Sequence, residues 1–406
     1  MAAGPLAGIK VIELCHVMAG PICGLMLADL GADVIKVEKI PGGDDTRHTI
    51  PPSIGDEAAT FLMMNRNKRG IAVDLKTEDG KTVLRRLLKD ADVVTENYRR
   101  GVMERMGLGY EGLKRENPRL VYCSISGFGR TGPYADRAGY DLVAQGMSGL
   151  MSITGEGPGR PPIKVGAPIA DITAGILGAM GVIAALHART RSGEGQMVDT
   201  SLFEAGIVQT YWQSAIALAT GIAPGPMGSA HPLNAPYQAF ATRDGWINLG
   251  AANQTNWLRL VDLLGRRELA EDARFKTNAG RMANLTALVA ELSREFAKRT
   301  SAEWLALLEQ AKIPAGPVFD VLQMQANEQT LARDMVVETR HSKLGAVKTI
   351  GQPVKFSRTP SSVRRGAPLY GEHTREVLRE HGFSDGDIDR MARAGAIQVE
   401  EVGAIG

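Results

Sequence analysis

The N-terminal part of the chain reads Ile9-Lys-Val-Ile-Glu-Leu14, then Pro21-Ile-Cys-Gly-Leu-Met-Leu-Ala-Asp-Leu30, then Asp33-Val-Ile-Lys-Val-Glu38. The outer two runs are typical of buried strands, and the run between them has the length of a helix. Proline is tolerated in the first turn of a helix, and Gly31 is a common helix stop. A strand, a helix and a second strand form a βαβ unit, whose usual home is a parallel sheet. The stretch therefore predicts an α/β fold.

The same alternation continues along the first 125 residues. Strand-like runs lie at 70–74, 92–95 and 120–125, and apolar residues at helical spacing lie within 81–88. Alternating β and α elements indicate an α/β sheet with helices on both faces.

The chain is long enough for two domains, since one hydrophobic core rarely serves 406 residues. Seven Gly and Pro residues within 220–236 indicate a linker, and a capping-box pattern at Thr300 and Glu303 starts a helix beyond it. We expect a large α/β domain over 1–205, a small α/β domain over 225–325 and a C-terminal segment over 330–406.

Composition excludes several classes of function. The 47 basic and 45 acidic residues leave a net charge of +2, which gives no electrostatic case for nucleic acid or an anionic membrane. Cys15, Cys23 and Cys123 form no C-x-x-C pair, so we expect free thiols in a reducing compartment, the cytoplasm. No secretory signal is visible in the first residues.

One carboxylate stands out in the segment Val165-Gly-Ala-Pro-Ile-Ala-Asp171-Ile-Thr-Ala-Gly175. Asp171 is the only ionisable residue within 170–186, which otherwise reads as an apolar helix rich in Gly and Ala. Asp is a preferred helix cap, so Asp171 has a structural interpretation. A poorly hydrated carboxylate is also a covalent nucleophile, and both interpretations stay open on this segment alone.

Glycines recur every third residue in this helix, at Gly175, Gly178 and Gly181. Such a stripe lets another backbone pack closely. We expect the helix to be too short and too Gly-rich to span a membrane.

Other motifs carry less weight. Gly127-Phe-Gly-Arg-Thr-Gly132 matches a dinucleotide fingerprint, but Pro133 follows at once instead of a helix, so no NAD or FAD site is expected. The seven histidines have no metal-ligand spacing, so no metal is expected. Basic residues near predicted strand ends could jointly hold a polyphosphate; they are Lys39, Arg47, Lys76, Arg99, Arg100, Arg105 and Arg137.

Several segments in the right order resemble the class III CoA-transferase family, which also contains 2-methylacyl-CoA racemases. They are His16–Pro21, Gly31–Glu38, Asn65–Arg69, Glu96–Tyr98, Met106–Tyr110, the segment around Asp171, and Leu369–Thr374. The resemblance implies an interlocked-ring homodimer. Both chain ends would build the large domain, which would be Rossmann-like and bind CoA, so that the 330–406 segment returns to it.

The resemblance also implies the chemistry. Asp171 would be the nucleophile that takes an acyl group from a CoA thioester and then CoA itself. Coenzyme A would be a substrate, and no cofactor would be bound permanently. The family's CoA-contacting positions fall on Met18, Ala19, Lys39, Val73, Asp74, Leu75, Lys76, Asn97, Tyr98, Arg99 and Arg105.

Departures from the family patterns narrow the activity. Racemases carry His where this chain has Tyr140, and an unperturbed Tyr is a poor base near neutral pH. Formyl-CoA:oxalate transferases carry Gln at Met18 and a Gly-rich loop at 228–238. The chain looks most like the branch that moves CoA from succinyl-CoA to dicarboxylates such as glutarate, with Tyr140, His231 and Gln238 as candidate substrate-side residues.

The alternatives are a formyl-CoA:oxalate or carnitine-type transferase and, from other classes, a 2-methylacyl-CoA racemase or a non-catalytic CoA-binding protein. An acyl-CoA and a free carboxylic acid are the expected small-molecule partners of the transferase.

Overall fold

The computed structural model describes residues 4–400. Its strands, in chain order, are Lys10–Leu14 (β1), Asp33–Glu38 (β2), Ser53–Ile54 (β3), Glu57–Ala58 (β4), Lys68–Val73 (β5), Val93–Glu96 (β6), Val121–Ser126 (β7), Met197–Ser201 (β8), Tyr237–Ala241 (β9), Trp246–Gly250 (β10), Ala315–Pro317 (β11), Val336–His341 (β12), Gly345–Ile350 (β13) and Ile397–Gln398 (β14). Its α-helices are Ala19–Asp29 (α1), Ala59–Met64 (α2), Glu78–Lys89 (α3), Val102–Arg105 (α4), Tyr110–Glu116 (α5), Asp141–Met147 (α6), Leu150–Ile153 (α7), Ile169–Ser192 (α8), Leu202–Val208 (α9), Tyr211–Thr220 (α10), Gln254–Leu263 (α11), Glu268–Glu271 (α12), Asn278–Ala283 (α13), Leu285–Phe296 (α14), Ser301–Gln310 (α15), Val321–Ala326 (α16), Glu328–Ala332 (α17), Thr374–Glu380 (α18) and Asp385–Arg393 (α19).

A mostly parallel sheet forms the centre of the first part of the fold, in the order β14-β5-β2-β1-β6-β7-β8. All neighbouring pairs are parallel except β14 with β5, which are antiparallel. In register, Val11 of β1 lies opposite Val34 of β2 and Val93 of β6. The prediction of a mixed α/β fold with a parallel central sheet is confirmed.

Apolar residues cover both faces of this sheet, because side chains alternate along each strand. Ile12 and Leu14 of β1 join a core with α3, α18 and α19. Val11 points to the opposite core, which contains Ala and Leu residues of α1, α8 and α9. The result is a three-layer arrangement with helices on each side of the sheet.

Helix α8 packs closely on α1. A Cβ on Gly175 would lie 2.6 Å from the backbone oxygen of Ala19 and 2.7 Å from Ile22, so this position needs glycine. The other two glycines of the stripe, Gly178 and Gly181, face side chains of β7 and β8 instead. The expected backbone approach therefore occurs at Gly175 only.

Among the described residues, α8 is the one helix with the length and apolar composition to cross a membrane. It has 24 residues, whereas about 20 suffice for a span. The expectation that it is too short is wrong, because the helix continues past Leu186 through a polar last turn. Of its most apolar window, 44 % is buried inside the fold.

The described chain divides into two compact units. The first contains residues up to 149, 165–209 and 328–400, and the second contains 150–164 and 210–327. Residues 150–164, which the sequence boundaries place in the large domain, therefore belong with the second unit. The reason is a contact to the Pro- and Gly-rich loop, in which Gly228 N–H donates to the Gly155 carbonyl (2.8 Å).

The second unit has its own sheet and core. Strands β9, β10 and β11 form an antiparallel sheet in the order β11-β10-β9. Its buried core is rich in aromatic residues, including Phe240, Trp257 and Phe296. The capping box predicted at Thr300 and Glu303 is confirmed at the start of α15.

Candidate active site

Loops at the carboxyl edge of the parallel sheet surround a cavity of about 400 Å³. In open α/β sheets this edge is where ligands bind. The cavity, called here the Asp171 cavity, is lined by residues that follow β1, β2, β6 and β7 and by the first turn of α8. They are His16, Val17, Met18, Ala19, Lys39, Asp45, Asn97, Tyr98, Arg99, Arg100, Ile125, Ser126, Gly127, Ala135, Arg137, Ala138, Gly139, Tyr140, Asp171 and Leu202.

A second cavity of about 550 Å³, called here the Lys76 cavity, shares Lys39 and Tyr98 with the first. Its other lining residues are Val37, Glu38, Ile40, Pro41, Val73, Asp74, Leu75, Lys76, Lys81, Val102, Arg105 and Met106. Every predicted CoA-contacting residue lines one of these two neighbouring cavities. Residues that are up to 87 positions apart in sequence are thus brought together on one edge of the first unit.

Asp171 lies in the first turn of α8 with a half-buried side chain. Its carboxylate has no hydrogen bond or ion pair with any residue that the structure describes. Burial, and next the negative charge of Asp141, raise the pKa of Asp171 from 3.8 to about 6. A carboxylate that is ionised at neutral pH but poorly stabilised is suited to nucleophilic attack.

Asp171 does not cap its helix. Pro168 occupies the cap position and offers no side-chain acceptor. The Ala170 N–H instead donates to Oδ1 of Asp141 (2.9 Å), a residue of the neighbouring helix α6. Because Asp141 fills the capping role, the structural interpretation of Asp171 loses its basis, and the carboxylate stays available in the cavity.

The loop between β1 and α1 holds a strained residue at the cavity wall. Val17 has φ of +66°, a left-handed conformation that is costly for a β-branched side chain. Its N–H donates to Oδ1 of Asp44 (3.1 Å). Asn97 holds the preceding residue, since its amide accepts from His16 N–H (3.0 Å) and donates to the His16 carbonyl (2.8 Å). Two side chains therefore fix the strained loop.

Below this loop lies a fully buried charge network. Lys36 Nζ is 3.1 Å from Glu13 and 2.8 Å from Asp44, and Lys68 Nζ is 2.9 Å from Glu13. Burial opposes ionisation of Asp44, but the Lys36 ammonium holds the pKa of that carboxyl well below its usual range. The network ties Asp44, and through it Val17, to the sheet.

His16 is a cavity residue that the sequence reasoning missed, because its spacing matched no metal or catalytic motif. Its Nε2 lies 3.5 Å from the Tyr98 hydroxyl, and its buried Nδ1 has no hydrogen-bond partner among the described residues. Burial and the positive charge of Lys36 lower the pKa of His16, so its ring is neutral at pH 7. Its place in the His16–Pro21 motif was the available signal.

The loop after β7 brings Tyr140 to the cavity. Gly127 and Gly139 touch through their backbones, since a Cβ on Gly139 would lie 2.5 Å from the Gly127 Cα. Tyr140 precedes α6 and is 74 % exposed at the cavity rim. Residues 127–132 form a loop without a helix start, so the dinucleotide fingerprint has no structural counterpart.

Four cations line the Asp171 cavity, and two of them are already paired. Lys39 pairs with Asp45, and Arg100 lies 3.8 Å from Asp136. Arg99 and Arg137 form no ion pair with a residue of the described range 4–400, although Arg137 stacks on the Tyr134 ring at 3.9 Å. These two guanidinium groups are available to an anionic ligand.

His231 and Gln238 lie in the second unit, whereas Asp171 lies in the first. His231 contacts the Trp212 and Tyr237 rings edge-on, at centroid distances of 5.6 and 5.2 Å, and its Nδ1 accepts from Leu233 N–H. Gln238 is half-buried in β9. Their contact with substrate stays a prediction.

Comparison with known proteins places these features in one family. The model of CoA-transferase family III matches residues 6–374. A succinate–glutarate CoA-transferase from Agrobacterium fabrum is 43 % identical over 382 residues, which cover 93 % of this chain and 95 % of that enzyme. An acetyl-CoA:oxalate CoA-transferase from Acetobacter aceti is 40 % identical over 381 residues, which cover 93 % of this chain and 96 % of that enzyme.

A solved structure has the same fold. The crystal structure of a CaiB/BaiF family protein from Brucella suis superimposes with a TM-score of 0.84 at 42 % sequence identity. The match covers 94 % of this chain and 100 % of that one.

Proposed function

The chain belongs to CoA-transferase family III, and from this premise we propose that it moves CoA from succinyl-CoA to a free dicarboxylic acid. The observation that carries the proposal is the Asp171 carboxylate, which is half-buried, free of hydrogen bonds to the described residues and set in a cavity lined by cations. A capped or ion-paired Asp would be a poor nucleophile, and Asp171 is neither.

The two cavities divide the CoA ester between them. The Lys76 cavity takes the nucleotide end, where Lys39, Lys76 and Arg105 offer charges to its phosphates. Lys39 and Tyr98 line both cavities, so the pantetheine arm passes there and delivers the thioester to Asp171. Coenzyme A is then a substrate, and no permanently bound cofactor is needed.

The first half of the reaction loads Asp171. A carboxylate oxygen of Asp171 attacks the thioester carbonyl of succinyl-CoA, the C–S bond breaks, and CoA leaves as a thiolate. The thiolate sulfur then attacks the Asp171 carbonyl of the mixed anhydride. The bond between the Asp171 carbonyl carbon and the bridging oxygen breaks, succinate leaves with that oxygen, and Asp171 holds CoA as a thioester.

The second half runs in reverse with a new acid. An oxygen of the acceptor carboxylate attacks the Asp171 thioester carbonyl and expels the CoA thiolate, which gives a second anhydride. The thiolate attacks the acceptor carbonyl, and Asp171 returns as a carboxylate. No proton is consumed, and each intermediate keeps the acyl group activated without ATP.

The free cations support a dicarboxylic acceptor. Arg99 and Arg137 are available in the Asp171 cavity, and a second carboxylate on the donor or acceptor would find a partner there. Both relatives described above are named for dicarboxylic acids. Tyr140, at the rim of the same cavity, is the proposed neutral contact of the acyl chain.

Oxalate is a second candidate acceptor, because a relative at 40 % identity is named for oxalate and acetyl-CoA. The sequence argues against oxalate at two places, because formyl-CoA:oxalate transferases carry Gln where this chain has Met18 and a Gly-rich loop where it has residues 228–238. The two candidates separate on chain length, since oxalate has two carbons and glutarate has five.

A second copy of the chain completes the proposal, as an interlocked homodimer. In the first unit, apolar side chains of α6, α8 and α9 are exposed, and Met180 is 61 % exposed; the others are Leu142, Val143, Met147, Ile176, Ile183 and Ile207. In the second unit, apolar helix α10 has no buried residue. Such apolar surface is typical of a subunit interface.

The proposed location is the cytoplasm. Three free, buried thiols fit a cytoplasmic protein.

The test is mass spectrometry of CoA esters after the purified protein is mixed with succinyl-CoA and one free acid at a time. The acids are glutarate, oxalate, mesaconate and carnitine. A glutaryl or mesaconyl ester supports the proposal, and oxalyl-CoA alone supports the second candidate. If the protein forms no new CoA ester from succinyl-CoA with any of these acids, the proposed transfer from succinyl-CoA fails for this chain.

A further inference from the structure

We propose that Gln145 is a positioning residue that fixes the first turn of α8 and thereby the reactive carboxylate. The inference rests on the proposed function, because the carboxylate it positions is the proposed nucleophile. Gln145 lies on α6, is fully buried and lines neither of the two cavities. It therefore acts through its neighbours and not by touching substrate.

Three hydrogen bonds define its role. Gln145 Nε2 donates to Oδ2 of Asp141 (2.7 Å), and Gln145 Oε1 accepts from the Val165 N–H (2.9 Å). The other oxygen of Asp141 accepts from the Ala170 N–H (2.9 Å). The Gln145 amide oxygen thus holds Val165, and its amide nitrogen holds Asp141, the acid that caps α8. These hydrogen bonds, together with the one from Ala170 to Asp141, are called here the clamp.

A side-chain amide can donate to Asp141 and accept from the Val165 N–H in one orientation. It carries a donor and an acceptor on the same planar group, whereas an ionised carboxylate only accepts and leucine does neither. Both partners of Gln145 are at least partly buried, so the loss of either hydrogen bond costs free energy. A one-atom change at this position therefore disturbs two connections at once.

Asp141 connects the clamp to the reactive Asp171 carboxylate. The capping bond at Ala170 sits one residue before Asp171, so a shift of Asp141 moves the first turn of α8. The negative charge of Asp141 also raises the pKa of Asp171, and among the described residues it is the one charge that does so. Loss of the clamp changes both the position and the electrostatic surroundings of the nucleophile.

A matched control contacts the same helix, α8, from the end of α9. Gln209 Nε2 donates to Oγ1 of Thr173 (2.9 Å), also near the start of α8, but it is exposed and holds no capping group. Gln209→Leu removes a Gln hydrogen bond to α8 without touching the clamp.

The experiment compares Gln145→Leu, Gln145→Glu and Gln209→Leu in the full-length enzyme. Misplacement of about 1 Å can cost about a hundredfold in rate, so Gln145→Leu is expected to lower kcat about 10- to 100-fold. Its KM for succinyl-CoA should stay within about threefold, since no cavity residue is lost. Gln209→Leu should leave both constants unchanged.

Gln145→Glu supplies a readout that a general packing defect would not move. Its carboxyl faces Asp141, so the pair should share a proton more readily as the pH falls, and the protonated form can again donate to Asp141 and accept from Val165. The ratio of its kcat to the wild-type kcat should rise at least about threefold from pH 8 to pH 6. The corresponding ratio for Gln145→Leu should stay flat.

Hydrogen exchange tests the clamp independently of activity. Amides of peptides spanning 163–172 should exchange at least about tenfold faster in Gln145→Leu than in wild type or Gln209→Leu. If exchange and kcat are both unchanged in Gln145→Leu, the positioning role is refuted while transfer by the wild type stands. If the wild type transfers no CoA, the proposed function fails, and unchanged exchange would still refute the clamp separately.

Discussion

Replacement of Asp171 by Asn should stabilise the protein while abolishing transfer. The pKa of Asp171 rises from 3.8 to about 6 on folding, mainly through burial. Such a rise means that ionisation of Asp171 destabilises the folded protein. A neutral side chain of the same shape avoids this cost. Asn also loses no hydrogen bond that the described carboxylate makes. The nucleophilic oxygen is lost at the same time, so activity should fall by several orders of magnitude.

The magnitude follows from the size of the rise. A carboxyl whose pKa is 3.8 in the unfolded chain and about 6 in the folded protein lowers the free energy of unfolding by about 3 kcal/mol once it is fully ionised. The cavity admits solvent, so screening reduces the gain to about 1–2 kcal/mol. For a chain of this size that corresponds to a rise in Tm of about 1–4 °C.

The stability difference between Asp171→Asn and the wild type should depend on pH. Because the folded pKa is higher, folding takes up a proton between pH 3.8 and about 6. The wild type therefore loses stability as the pH rises through this window, and the loss is complete above about pH 6. Asp171→Asn has no such group, so its advantage should be small at pH 4 and full at pH 7.

Thermal and urea unfolding at several pH values measures the effect, with transfer followed in parallel. Asp136→Asn, which replaces an exposed acid, is the control and should stabilise the protein far less than Asp171→Asn at pH 7. The reasoning is wrong if Asp171→Asn is no more stable than wild type at pH 7, or if its advantage is equal at pH 4 and pH 7.

Other substitutions test separate parts of the account. The kcat/KM for succinyl-CoA should fall about tenfold per pH unit below about 6, and Asp141→Asn should move this limb to lower pH, as pH–rate profiles will show. Lys76→Met should raise the KM for succinyl-CoA about 10-fold or more in steady-state assays while leaving kcat near wild type, because a charged phosphate contact is lost. Gly175→Ala should cost about 1–3 kcal/mol in urea unfolding, since its Cβ meets backbone, whereas Gly225→Ala in open space should cost far less. Met180→Glu should weaken the proposed dimer at least about tenfold in sedimentation experiments, and an unchanged dimer would remove this face from the interface.

The sequence predicts the layered fold because its elements are local. The alternation of apolar runs and helical patterns over 9–125 needs no distant contact to be recognised, and the observed bounds differ from the predicted ones by at most three residues. The lone acid in an apolar helix is also a local signal, which is why Asp171 could be singled out. The cavity-lining residues follow from the rule that loops after parallel strands meet at one edge.

The remaining features depend on contacts between distant residues. Asp141 caps a helix that starts 28 residues later, so no local pattern could assign it that role. The left-handed Val17 is held by Asp44, and a β-branched residue gives no hint of positive φ. The two-residue strand Ile397–Gln398 has too few residues for an alternating pattern and forms only because β5 offers an edge.

The covalent intermediate on Asp171 tests the central claim most directly. The enzyme would be mixed with succinyl-CoA, quenched with acid within one turnover, digested and analysed by mass spectrometry. The account predicts CoA attached as a thioester to the peptide that contains Asp171, released by hydroxylamine and absent from Asp171→Asn. CoA transfer by the wild type without an acyl or CoA adduct on Asp171, or with an adduct on another residue, would contradict it.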